Sequence, residues 1–90
     1  MTDIPTIEQL ISKNLATAHT DRMRADVYNK IAEQFYDSQP LYAIELSEKA
    51  RELSQEEAYT AGEAFSYRNC GAGCFVLSRY SEAVSYLQNG

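Results

Sequence analysis

Residues 27–50, "VYNKIAEQFYDSQPLYAIELSEKA", can be laid over residues 66–89, "SYRNCGAGCFVLSRYSEAVSYLQN". Tyr28 falls on Tyr67, Ile31 on Cys70, Ala32 on Gly71 and Phe35 on Cys74, all at an offset of 39. Beyond the next turn Ala43 falls on Ala83, Ile44 on Val84 and Leu46 on Tyr86, at an offset of 40. The change of offset sits in the turn, where insertions and deletions are tolerated. Each half of the pattern has helical spacing, so the unit is two helices and a turn. Such a unit buries its apolar face by stacking on a neighbour.

The resulting expectation is an all-α domain of about five helices spanning residues 1–90, in which helix-turn-helix units stack. An N-terminal helix over 6–19 carries Ile7, Leu10, Ile11 and Leu15 on one face, with Thr6 and Gln9 in capping-box spacing after Pro5. The first unit, 21–54, opens with Thr20 and Asp21 as caps, breaks at Asp37-Ser38-Gln39-Pro40, and continues as a third helix to about Leu53. The second unit, 56–90, is expected to start at Ser54-Gln55-Glu56-Glu57, read as another capping box, and to run to about Leu77. Gly62, Gly71 and Gly73 inside that helix each cost about 1 kcal/mol relative to Ala, which calls for a packing reason. A fifth helix starts near Tyr80, and "SEAVSYLQNG" reads as a helix stopped early by truncation.

These residues resemble the tetratricopeptide repeat (TPR) family: an aromatic, an apolar-small pair and a second aromatic on the first helix, then a small residue early on the second. The first unit supplies Tyr28, Ile31-Ala32, Phe35 and Ala43; the second supplies Tyr67, Cys70-Gly71, Cys74 and Ala83. The match covers residues 26–89. Cys74 departs from the family's aromatic, and the period exceeds the family's usual length of about 34. Longer periods of this kind look like the TPR arrays of bacterial signalling proteins. The resemblance implies a short solenoid whose first helices line a groove for a peptide or a partner helix, in a chain that is the N-terminal part of a larger signalling protein.

Charge and composition narrow the partner class. Eight basic and thirteen acidic side chains give a net charge of -5. That opposes the counterion release that drives nucleic-acid binding, so nucleic acid is not expected as a partner. No apolar run approaches the roughly 18 residues of a membrane span, and no basic-then-apolar leader opens the chain, so a cytoplasmic protein without membrane contact is expected.

No catalytic constellation stands out, and the chain is read as non-enzymatic with no cofactor. Cys70 and Cys74 occupy positions where the repeat places buried apolar side chains, and free cysteine packs as a small hydrophobe. A zinc site needs four ligands, and beyond these thiols only His19 offers a soft donor, so no metal is expected. Glu56-Glu57 reads as a helix cap, not an acid-base pair.

The resemblance places Asn29, Glu33 and Tyr36 of the first unit, and Arg68, Ala72 and Phe75 of the second, in the partner-binding groove. A clamp for a terminal carboxylate would need Lys and Asn where this chain has Asn29 and Glu33, so that mode is not expected. The alternative is self-association: Val84, Tyr86 and Leu87 lie on a last helix with nothing after it to cover them, and an uncovered apolar face of this kind marks a homo-oligomer interface.

Overall fold

The computed structural model of the chain describes residues 6–89. Pro5 and Gly90, expected at the first helix start and the last helix stop, lie outside them. Five helices follow in order: α1 Ile7–Leu15, α2 Asp21–Phe35, α3 Pro40–Glu56, α4 Thr60–Val76 and α5 Tyr80–Asn89. No strand occurs among the described residues. The repeat offset survives in space, since α4 starts 39 residues after α2 and α5 starts 40 after α3.

Two starts are capped as the side chains dictate. Thr6 accepts from the Gln9 amide while its own amide donates to Gln9 Oε1. Thr20 accepts from the Met23 amide at 3.1 Å. Pro40 opens α3, where its missing N–H removes nothing from the helix ladder.

The boundary between α3 and α4 differs from expectation. α3 runs on to Glu56, and Ser54 caps nothing: it is fully buried within α3. The helix ends instead at Ala58, whose φ is 51°, with the Tyr59 amide donating back to the Ser54 carbonyl at 2.7 Å. Ser78 repeats this at the end of α4, with φ 62° and the Arg79 amide donating to the Cys74 carbonyl at 2.8 Å. Both are left-handed helix stops made without glycine.

Large apolar side chains concentrate in the first three helices. Ile7, Ile31, Ala32, Ala43 and Leu46 form the buried core, flanked by Val27, Tyr28 and Phe35. α4 is built differently. It packs on α2, α3 and α5 at once, and its buried residues are Gly62, Ser66, Asn69, Cys70, Gly71, Gly73 and Cys74. Small residues let helix axes close on one another. A Cβ on Gly73 would sit 2.8 Å from Ile44 Cγ1 of α3, and one on Gly71 would sit 2.8 Å from Leu87 Cγ of α5. One on Gly62 would sit 2.5 Å from the buried Ser54 Oγ, so Gly62 and Gly73 have the packing reason they required, while Gly71 faces the half-exposed Leu87. The helices lie side by side in a slab measuring 40 × 34 × 13 Å over Cα atoms.

Candidate functional site: the α2/α4 face and the α4/α5 edge

The seam between α2 and α4 is polar inside and charged outside. Asn29 Nδ2 donates to the Gly62 carbonyl at 3.0 Å, and Asn69 Nδ2 donates to the Asn29 carbonyl at 3.0 Å. Above these buried amides, Glu33 and Arg68 face each other at 3.7 Å on the surface, and the Tyr59 hydroxyl donates to Asp26 at 2.8 Å.

This geometry corrects part of the expected groove. Asn29 is 1 % exposed and spends its amide inside the seam, so it is not available to a partner. Tyr36 packs against the hydrophobic core. Glu33 and Arg68 are exposed and come together, but with each other. Ala72 is half-buried on α4, and Phe75, 63 % exposed, packs edge-on to Tyr80 with ring centroids 5.4 Å apart.

The last helix also divides. Val84 and Leu87 are each 52 % exposed. Tyr86 instead turns inward, which corrects its place in an open interface: its hydroxyl donates to Glu48 Oε1 at 3.1 Å and its ring packs against Tyr67. Glu48 is a shared acceptor, taking the Cys70 thiol at 3.4 Å on the same oxygen and pairing with Arg51 through the other. Burial first, then the Glu48 charge, pushes the Cys70 thiol up to about 12, and the same two causes push Tyr86 up to about 12. Burial and Glu82 raise the Cys74 thiol in the same direction. Both shifts favour the protonated thiol. Among the described residues no three His, Cys, Asp or Glu side chains converge as a metal site would need.

One of several open surfaces is the edge where α4 and α5 meet. Ala61, Ala64, Phe65 and Arg68 of α4 and Leu87 of α5 line a shallow cleft of about 350 Å³. Ala61, Ala64 and Phe65 escaped the sequence reading, although the 39-residue offset already related Ala64 to Ala25 and Phe65 to Asp26. Related positions differ sharply in exposure. Ser47 is fully buried while Leu87 is half exposed, and Asn29 is buried while the Arg68 side chain is 64 % exposed. No helix of the described residues is long and apolar enough to cross a membrane. No family model, curated protein or solved structure matches this chain.

Proposed function

We propose that this chain is a non-catalytic, TPR-like interaction module whose two helical units stack as a short solenoid and which receives a helix of a partner protein along the α4/α5 edge. The observation that carries the reading is the exposure of repeat-related positions. α4 covers the α2/α3 pair: Gly62 closes on Ser54, Gly73 closes on Ile44, and Asn29 bonds the Gly62 carbonyl. The related pair, α4/α5, presents Arg68, Val84 and Leu87 to water. The edge has the shape of a surface built to be covered by one more helix. Two free thiols held protonated suit a reducing compartment, the cytoplasm.

Completing the burial of Leu87 and Val84 would contribute about 1 kcal/mol each, half the value of full burial for such side chains. The test is selection from a displayed library of helical peptides against the full chain, with each binder then measured on Leu87→Asp and Val84→Asp. Both sites are half exposed in the free chain, so circular dichroism of the variants should match the parent. Binders weakened about tenfold or more by both variants support the reading. Binders indifferent to both, or that protect α1 and α2 from hydrogen exchange, overturn it.

A further inference from the structure

The repeat also says what kind of helix fits, and this inference rests on the edge reading above. We infer that the α4/α5 edge selects a helix with small residues toward α5, apolar residues toward α4, and a carboxylate that meets Arg68.

Three observations lead there. First, the helix that seats on α2/α3 is α4, and the stripe it turns toward α3 is Gly62, Ser66, Cys70 and Gly73. The close approach at Ile44 leaves no room for a larger side chain at Gly73. Val84 stands where Ile44 stands in the first unit, and so sets the same requirement on whatever lies over α5. Second, α2 turns acids toward α4, Asp26 to the Tyr59 hydroxyl and Glu33 to Arg68. At the related positions α4 carries Phe65 and Ala72, so Arg68 is the charged group a covering helix meets in an otherwise apolar cleft. Third, Arg68 takes the place of Asn29, which α4 covers. A guanidinium covered in that way needs an acceptor. Glu33 is 3.7 Å away and more than half exposed, a surface pair, and the remaining Arg68 donors face water that a covering helix would displace.

A second copy of this chain fits less well. An isologous pairing of two such edges places Arg68 of each copy in the same patch and joins two chains of net charge -5. A helix of a partner protein, small-faced and acidic at one position, meets all three requirements better than a second copy does.

The experiment uses the full chain and three stapled helical peptides. The first has Ala or Ser at the four positions spaced as Gly62, Ser66, Cys70 and Gly73, Leu on the adjoining strip, and one Glu placed for Arg68. The second has Leu at the four small positions, and the third replaces Glu by Lys. The small-faced Glu peptide is expected to bind about tenfold more tightly than either of the others, and Arg68→Glu is expected to reverse the preference between Glu and Lys. Arg68 is exposed, so the variant keeps its fold, which circular dichroism checks. Equal or tighter binding of the bulky-faced peptide, or a Glu/Lys preference unmoved by Arg68→Glu, overturns the inference. If that bulky-faced binding is still lost in Leu87→Asp, the edge reading stands and only the occupant's chemistry falls. Absence of binding by all three at about 1 mM, or self-association that Leu87→Asp abolishes, overturns the inference as well.

Discussion

Gly62 and Gly71 both lie inside α4, and replacing either by Ala gains about 1 kcal/mol of helix propensity. The structure nevertheless separates them. A Cβ on Gly62 would lie 2.5 Å from Ser54 Oγ and 2.6 Å from Tyr59 Cδ2. Neither neighbour yields: Ser54 is fully buried in α3, and the Tyr59 ring is held by its hydrogen bond to Asp26 and by Arg22, whose guanidinium lies 4.7 Å from the ring centre. Overpacking of this sort costs about 1–3 kcal/mol. Displacing Gly62 also loosens the Asn29 bond to its carbonyl, worth about 1 kcal/mol. Set against the propensity gain, Gly62→Ala should lose about 1–3 kcal/mol. At Gly71 the closest atoms are Leu87 Cγ and Cδ2, at 2.8 and 2.9 Å, and Leu87 is half exposed. Its side chain can swing outward, so most of the propensity gain survives and Gly71→Ala should fall within about 0.5 kcal/mol of neutral or be stabilising. For a domain of this size each kcal/mol moves Tm by about 4–8 °C. Thermal unfolding followed at 222 nm should therefore rank Gly71→Ala above Gly62→Ala by roughly 4 °C or more. Equal midpoints, or a Gly62→Ala protein more stable than the parent, would refute the claim that α4 is drawn against α3 through this glycine.

The helix stops give a second test: Ala58 and Ser78 hold positive φ in exposed turns, so Ala58→Gly and Ser78→Gly should each stabilise by about 1 kcal/mol in urea unfolding. Alkaline pH gives a third. Cys70 and Tyr86 are raised in the folded state, to about 12 from ordinary values of 9.0 and 10.0. Their contribution is complete below the unfolded values and lost as pH climbs toward 12, so urea midpoints should fall across that window, and less steeply in Tyr86→Phe. A thiol reagent at pH 8 should label Cys70 only after unfolding, since the side chain is 1 % exposed and burial pushes its thiol up to about 12. Finally, Glu33→Gln should move stability by less than about 1 kcal/mol in thermal melts, because its pair with Arg68 is solvent-exposed.

Helix number and class were legible because apolar residues recur at helical spacing over Ile7, Leu10 and Ile11, over Tyr28, Ile31 and Phe35, and over Ala43, Leu46 and Ala50. The α3/α4 boundary was not. Ser54-Gln55-Glu56-Glu57 has the spacing of a capping box, but the same serine, small enough to lie under Gly62, serves better inside a helix interface. A local motif was overridden by a contact eight residues away. Asn29 misled in a related way: a polar residue on a helix reads as surface, and only the Gly62 carbonyl, brought over it by α4, gives its buried Nδ2 an acceptor, while Oδ1 is left without a partner. The role of Glu48 was hidden because its partners, Cys70 and Tyr86, come from two other helices.

The distribution of side chains ties the fold to the proposed docking. Branched and aromatic residues of α1, α2 and α3 form the buried core together with Ala32 and Ala43. α4 contributes no large aliphatic side chain to its buried set, and α5 buries only Ala83 fully. Their attachment rests on close backbone approach at three glycines, two asparagine amides in the seam, and the hydrogen bonds converging on Glu48. Interactions of this kind specify position strongly while contributing modest net free energy, because each polar group exchanges water for a protein partner. Register along α4 and α5 is thus well defined even though little apolar area holds the pair. Covering Val84, Leu87 and Phe65 would add the hydrophobic term this half of the slab lacks, and would do so on a surface whose geometry is already set. That combination favours binding, since few degrees of freedom remain to be frozen when the partner helix arrives.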